Sequence, residues 1–389
     1  MTSPSDTASL GSRAAVLPTY ARADLTVVRG EGCRVWDDEG RAYLDFGAGI
    51  AVVGLGHRHP GVTEATHAQL DRLWHASNLY WTEPMLRLAG LLSDRVGGAR
   101  AFFCNSGAEA NEAALKVSRK VTGRSRIVAL EGGFHGRTYG ALSATGQPGK
   151  WEGFGPLVPG FSFARPNEVE SLEAAVAPGG ELAAILLEPV LGEGGVLPLE
   201  EGFVRAAAEI AREVGALLCV DEVQAGLGRT GTFFAYEQLG IEPDLVTLAK
   251  GLGNGLPIGA LLARSGAAEA IGPGDHGATF GGNPVASAAA CAVVEAIDDT
   301  LLANVVARGE QLTTGLAALP AVTEVRGRGL MVAAALDREV GPVVDACREA
   351  GLIVLTAGPP PGVLRLLPPL VVGEAEVQEA LGILGDVLA

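Results

Sequence analysis

Cysteine is sparse in this chain. Cys33, Cys104, Cys219, Cys291 and Cys347 are odd in number, scattered, and never form a C-x-x-C pair. A reduced, cytosolic chain is the expectation, with Cys104 and Cys219 as small core residues in strands. Positive charge is also short: 29 basic residues stand against 45 acidic ones, a formal net charge of −16. That argues against nucleic acid or an anionic membrane as partner. No apolar run approaches the length of a membrane span, and the N-terminus lacks the apolar core of a signal peptide. Residues 1–15, rich in Ser, Thr and Ala and poor in acid, read as a frayed tail rather than a transit peptide. What remains is 389 residues, 48% hydrophobic and 19% charged, enough for two or more lobes with substantial cores.

The chain is organised around DLVTLAKGLGNGLPIGALLA, residues 244–263. The apolar run Leu245 to Ala249 leads directly into Lys250, with glycines following at 251, 253, 255 and 259. A lysine is thereby set at the carboxyl end of a buried strand, the edge where open α/β sheets bind ligands. Desolvated there, it can lose its proton and act as nucleophile or base, although a lone lysine can equally cap a strand. A second strand, Ala216 to Val220, ends in Asp221 and Glu222, so in a parallel sheet an acid faces the same crevice. Alone, that pairing could be a simple ion pair. A third strand, 101–104, gives way to Asn105, Ser106 and Gly107 and then an amphipathic helix, whose free N–H groups and dipole suit a phosphate. A lysine able to form a Schiff base, an acid able to keep a pyridine nitrogen protonated, and a phosphate cradle are the requirements of pyridoxal phosphate.

From Tyr20 to Pro369 these motifs resemble, in order, the class III aminotransferases of fold type I, and within them the acetylornithine aminotransferase group. The resemblance implies an α/β fold: a large domain with a mainly parallel sheet, and a smaller α+β domain. It implies pyridoxal phosphate as cofactor, bound covalently by Lys250, with Asp221 on its ring nitrogen and Ser106, Gly107 and Ala108 at its phosphate. Phe134 would stack on the ring and Gln224 would approach its phenolic oxygen. In EGGFHGRTYG, Arg137 offers a fork for the substrate α-carboxylate. Glu193 would pair with Arg365 while an amine donor binds, then open so that Arg365 takes the carboxylate of glutamate or 2-oxoglutarate. Thr279 would reach the phosphate of a neighbouring subunit, making a homodimer the active unit. Leu191 replaces a common glutamine, and Ala278 stands where serine or threonine is frequent near the substrate.

Strand and helix alternate from Arg100, through 126–130, 183–187, 216–220, 245–249 and 259–263, with helices at 107–121 and 201–214. The expected division is residues 1–50 as an N-terminal segment packing with the small domain, 51–290 as the large domain, and 291–389 as the small one. His57 and His59 lack any further ligand pattern, so no metal is expected. The implied reaction moves the δ-amine of N²-acetyl-L-ornithine to 2-oxoglutarate. Related donors are succinylornithine, succinyl-diaminopimelate, a carrier-bound lysine precursor, ornithine and 4-aminobutyrate. A glutamate-semialdehyde aminomutase shares the lysine, aspartate and phosphate motifs but needs no second carboxylate-binding mode, and a silent relative would not need Lys250, Asp221, Gln224 and Thr279 all intact.

Overall fold

A computed structural model describes residues 13–177 and 181–389; residues 1–12 of the expected tail lie outside them. The strands of the central sheet are β1 (Arg100–Cys104), β2 (Arg126–Leu130), β3 (Phe161–Ala164), β4 (Leu182–Leu187), β5 (Leu217–Asp221), β6 (Leu245–Leu248) and β7 (Gly259–Ala263). Across the sheet they run β1-β7-β6-β5-β4-β2-β3. β7 is antiparallel to both neighbours, and every other pairing is parallel. The expected mainly parallel sheet is present, but 259–263 is not one more βαβ strand. It turns back after Lys250, within a connection too short for a crossover helix. The edge strand β3 is an addition to the expected set; its four residues, only one of them buried, carry too weak a pattern to stand out.

β4 and β6 are buried along their whole length, as strands covered on both faces must be. Alternate residues feed two cores. Leu186, Cys219 and Leu245 pack with Ala113, Ala114 and Val117 of helix α1 (Gly107–Thr122). Leu187, Val220 and Val246 enter a larger core on the other face, which includes Phe203, Val204, Ala207 and Ala211 of helix α2 (Glu201–Val214). Burying one such side chain contributes about 1.5–3 kcal/mol. Both helices end on a left-handed glycine, Gly123 and Gly215, as a C′ position favours.

A separate core joins Cys33, Leu44 and Phe46 to Leu312, Leu330, Leu364 and Leu384. Its antiparallel sheet contains Val322–Arg328, Met331–Leu336, Leu355–Ala357 and Val363–Leu366. The N-terminal strands Val27–Glu31, Arg34–Asp37 and Ala42–Asp45 form a further sheet whose fourth strand, Leu352–Ile353, comes from the C-terminal part of the chain. Helix α3 (Pro284–Ala296) buries Ala289, Cys291, Val293 and Val294 in the larger core, so a boundary at 290 falls inside it. We propose that the small domain begins near Asp298, the N-cap of the next helix. Buried Arg229 ties the two parts together, donating from Nη1 to the carbonyls of Leu330 (3.0 Å) and Pro368 (2.5 Å).

Candidate active site

The carboxyl ends of β1, β2, β4, β5 and β6 open onto one cavity of about 490 Å³. Ser106, Gly107, Ala108, Phe134, Arg137, Asp221, Gln224 and Lys250 all line it. Because β5 and β6 are in parallel register, Asp221 opposite Thr247, the acid and the lysine emerge on the same edge.

Lys250 follows β6 with φ of 44°, in the left-handed region that non-glycine residues rarely adopt. Burial lowers its ammonium to about 8, against the opposing pull of Glu193. About a tenth of the amine is therefore free at pH 7 and about half at pH 8, far more than for a lysine of ordinary basicity. Asp221 is 3% exposed and held on several sides. Its Oδ2 accepts from Asn111 Nδ2 at 2.8 Å and lies 2.8 Å from His135 Nδ1, while Oδ1 accepts from the Val223 N–H at 3.0 Å. Asn111 also donates to the His135 carbonyl and accepts from Thr247 Oγ1. Burial opposes charge on His135, but the Asp221 carboxylate and Glu188 outweigh it and raise the imidazole above its ordinary value. Glu188, closing β4, accepts from the N–H groups of Phe134 and Gly192, and burial pushes its carboxyl up to about 7.

At the start of α1, Ser106 caps the helix by accepting from the Glu109 N–H, and the Glu109 carboxylate folds back to accept from the N–H of Asn105, the residue before the cap, a variant of the capping box. Among the described residues the N–H groups of Gly107 and Ala108 have no acceptor. A Cβ on Gly107 would stand 2.7 Å from Val223 Cγ1, so only glycine leaves that end of the helix open to the cavity. Two free N–H groups and a helix dipole make a fitting seat for a phosphate. With the amine of Lys250 and the buried carboxylate of Asp221 beside it, the residue set fits pyridoxal phosphate.

Behind the cavity, Arg365 Nη1 donates to Glu193 Oε1 at 2.6 Å and to Gln224 Oε1 at 3.3 Å. Arg365 is 3% exposed. Burial disfavours the Glu193 charge, but Arg365 prevails and holds its carboxyl below the usual range. Arg137 is exposed at the cavity mouth with its guanidinium 5.7 Å from the Phe134 ring centre. Thr279 and Ala278 lie elsewhere. Asn78 Nδ2 donates to the carbonyls of Ala278 and Gly281, and neither Ala278 nor Thr279 lines this chain's own cavity.

Sequence reasoning passed over Asn111, His135 and the capping role of Glu109. Ser106-x-x-Glu109 was a legible signal, and so was a polar Asn111 among alanines on the apolar face of a helix.

The family described as Aminotransferase class-III matches residues 18–388. The chain is 48% identical to an acetylornithine aminotransferase of Thermosynechococcus vestitus, covering 96% of this chain and 95% of that one. It is similar to the crystal structure of N-acetylornithine aminotransferase from Stenotrophomonas maltophilia (40% identity, TM-score 0.82, 95% and 96% covered). It is also similar to the ornithine aminotransferase from Toxoplasma gondii, whose active site holds PLP at partial occupancy (32% identity, TM-score 0.91, 97% and 92% covered). With a family match over nearly its whole length and the lysine, acid and helix terminus drawn to one cavity, this chain belongs to the class III aminotransferases of fold type I.

Proposed function

We propose that the cavity binds pyridoxal phosphate and that the enzyme transfers the δ-amine of N²-acetyl-L-ornithine to 2-oxoglutarate. The products are N-acetyl-L-glutamate 5-semialdehyde and L-glutamate, in arginine biosynthesis in the cytoplasm. The observation that carries this is the meeting of Lys250, Asp221 and the open end of α1 on one cavity. Bound there, pyridoxal phosphate supplies an electron-accepting ring for the electron pair left when the substrate carbon loses its proton.

Lys250 would hold the cofactor covalently, and its amine, when free, would take the proton from the substrate carbon and return it. Asp221 would pair with the ring nitrogen and keep it protonated. Ser106, Gly107 and Ala108 would hold the phosphate, Phe134 would stack on the ring, and Gln224 would serve its hydroxyl. Arg137 takes the α-carboxylate of acetylornithine at the mouth. While that donor is bound, Glu193 neutralises Arg365; when glutamate or 2-oxoglutarate enters, Arg365 receives its carboxylate instead.

We also propose a homodimer with shared sites. Leu79, Tyr80 and Trp81 are 81%, 70% and 80% exposed, and Asn78, the residue before them, is hydrogen-bonded to the loop that carries Thr279. A second copy would cover these apolar residues and bring its own Thr279 to the phosphate, and Ala278 toward the acyl end of the substrate. The closed Glu193–Arg365 pair favours a two-substrate transaminase over an aminomutase.

Single-turnover spectroscopy tests the donor. The holoenzyme is mixed separately with N-acetylornithine, ornithine, 4-aminobutyrate and succinyl-diaminopimelate, and conversion of the cofactor to its amine form is followed. Fast conversion with acetylornithine alone is expected; a faster reaction with another amine would reassign the donor.

A further inference from the structure

Opening the Glu193–Arg365 pair solves the arginine's need for an anion but creates a second need. Arg365 is buried, and an incoming carboxylate satisfies it. The displaced Glu193 carboxylate, 26% exposed in the closed pair, is then left without a hydrogen-bonded cation in a half-enclosed cleft. The cations that act on Glu193 are Arg365, Lys250 and Lys150. Arg365 is taken by the substrate, and Lys250, displaced at that stage, works as a free amine that carries the substrate proton rather than as a fixed cation. Lys150 remains.

Lys150 is held at a suitable place. It closes the short turn Pro148–Lys150, whose flanks are pinned: Gln147 Nε2 donates to the Gly132 carbonyl at 2.8 Å, and Trp151 Nε1 to the carbonyls of Leu142 and Thr145 at 3.1 and 2.9 Å. Its ammonium lies 5.6 Å from the centre of the Phe134 ring, on the edge of the active-site cavity. Among the described residues it has no carboxylate partner and no hydrogen-bond acceptor. A second cleft of about 850 Å³ is lined by both Lys150 and Glu193, with Gly194 and Thr356. Glu193 sits on a glycine turn, Gly192 before it and Gly194 and Gly195 after it, so its side chain has both the room and the backbone freedom to turn.

We propose that Lys150 is the second partner of Glu193, receiving its carboxylate across this cleft when Arg365 is given over to the substrate. Lys150 is a positioning residue: it stabilises the open arrangement and thereby sets the affinity for glutamate and 2-oxoglutarate. Its charge is felt by Glu193 already in the closed state; burial and the Arg137 cation lower the Lys150 ammonium below its ordinary value, and Glu193 opposes them. This inference rests on the two-state reading of the Glu193–Arg365 pair given above.

The experiment compares Lys150→Met, Lys150→Arg, Glu193→Gln and the double variant Lys150→Met/Glu193→Gln as holoenzymes, in the two half-reactions measured separately. Lys150→Met is expected to raise the glutamate concentration for half-maximal conversion roughly fivefold, the size of a partly exposed ion pair. Conversion by acetylornithine should change less than about twofold, and Lys150→Arg should restore the glutamate side. In the Glu193→Gln background, where no anion is displaced, Lys150→Met should be silent. An equal loss with and without Glu193, or a loss confined to the acetylornithine side, would overturn the proposal and make Lys150 a direct contact for substrate. Failure of the underlying switch reads differently: Glu193→Gln itself would then leave the balance of the two half-reactions unaltered.

Discussion

Asn111 Nδ2 stands 2.8 Å from Asp221 Oδ2, and the same carboxylate oxygen meets His135 Nδ1 at 2.8 Å. An amide from α1 and an imidazole from the loop after β2 thus fix the acid at the end of β5. Removing the amide leaves buried groups short of partners, which costs about 1–3 kcal/mol each. Asn111→Ala should lower the melting temperature and loosen the cofactor. Asp221→Ala should go further, slowing both half-reactions on the order of a hundredfold or more, the scale of losing one aimed charge in an active site. Stopped-flow rates check both variants, and normal rates in Asp221→Ala would remove it from the chemistry.

Lys250→Ala should abolish turnover and the absorbance of covalently held cofactor. Turnover without added amine would exclude Lys250 as the attachment.

The depressed amine of Lys250 gives a pH signature. Its folded value is about 8 against an ordinary 10.5, so between those values the unfolded chain holds a proton that the folded one has released. Stability from this group therefore rises with pH across that window, and below it the full penalty of a buried charge applies. Capture of pyridoxal phosphate by the apoenzyme should likewise accelerate up to about pH 8 and then level off. A rate still climbing toward pH 10 would show a lysine of ordinary basicity.

Arg365→Ala should damage the glutamate half-reaction much more than the acetylornithine one. Leaving one member of a buried ion pair behind costs about 3–5 kcal/mol, so Glu193 stays paired with Arg365 until another carboxylate is offered. Equal losses on both sides, measured by single-turnover kinetics with each substrate, would sink the switch.

Gly107→Ala places a Cβ 2.7 Å from Val223 Cγ1. Overpacking of this kind costs about 1–3 kcal/mol, and here it also narrows the seat of the phosphate. Weaker cofactor binding is expected, with partial recovery in Gly107→Ala/Val223→Ala. Equilibrium dialysis with pyridoxal phosphate reads both.

Much of this protein is local and so was legible in the sequence. Apolar runs that end in Asp221, Glu188 or Lys250 are strands whose last residue must leave the sheet at its carboxyl edge, and a small-residue turn before α1 must expose its amides. Parallel register then obliges these ends to meet. The tertiary structure decided what no single stretch encodes. β7 turns back antiparallel because the turn after Lys250 leaves no room for a crossover. The Leu352–Ile353 strand joins the N-terminal sheet, and Arg365 reaches Glu193 across 172 residues of chain. Thr279 stays out of its own cavity because the loop carrying it is held by Asn78. Pairings of that kind depend on which buried surfaces find each other, so they emerge only when the whole chain is packed.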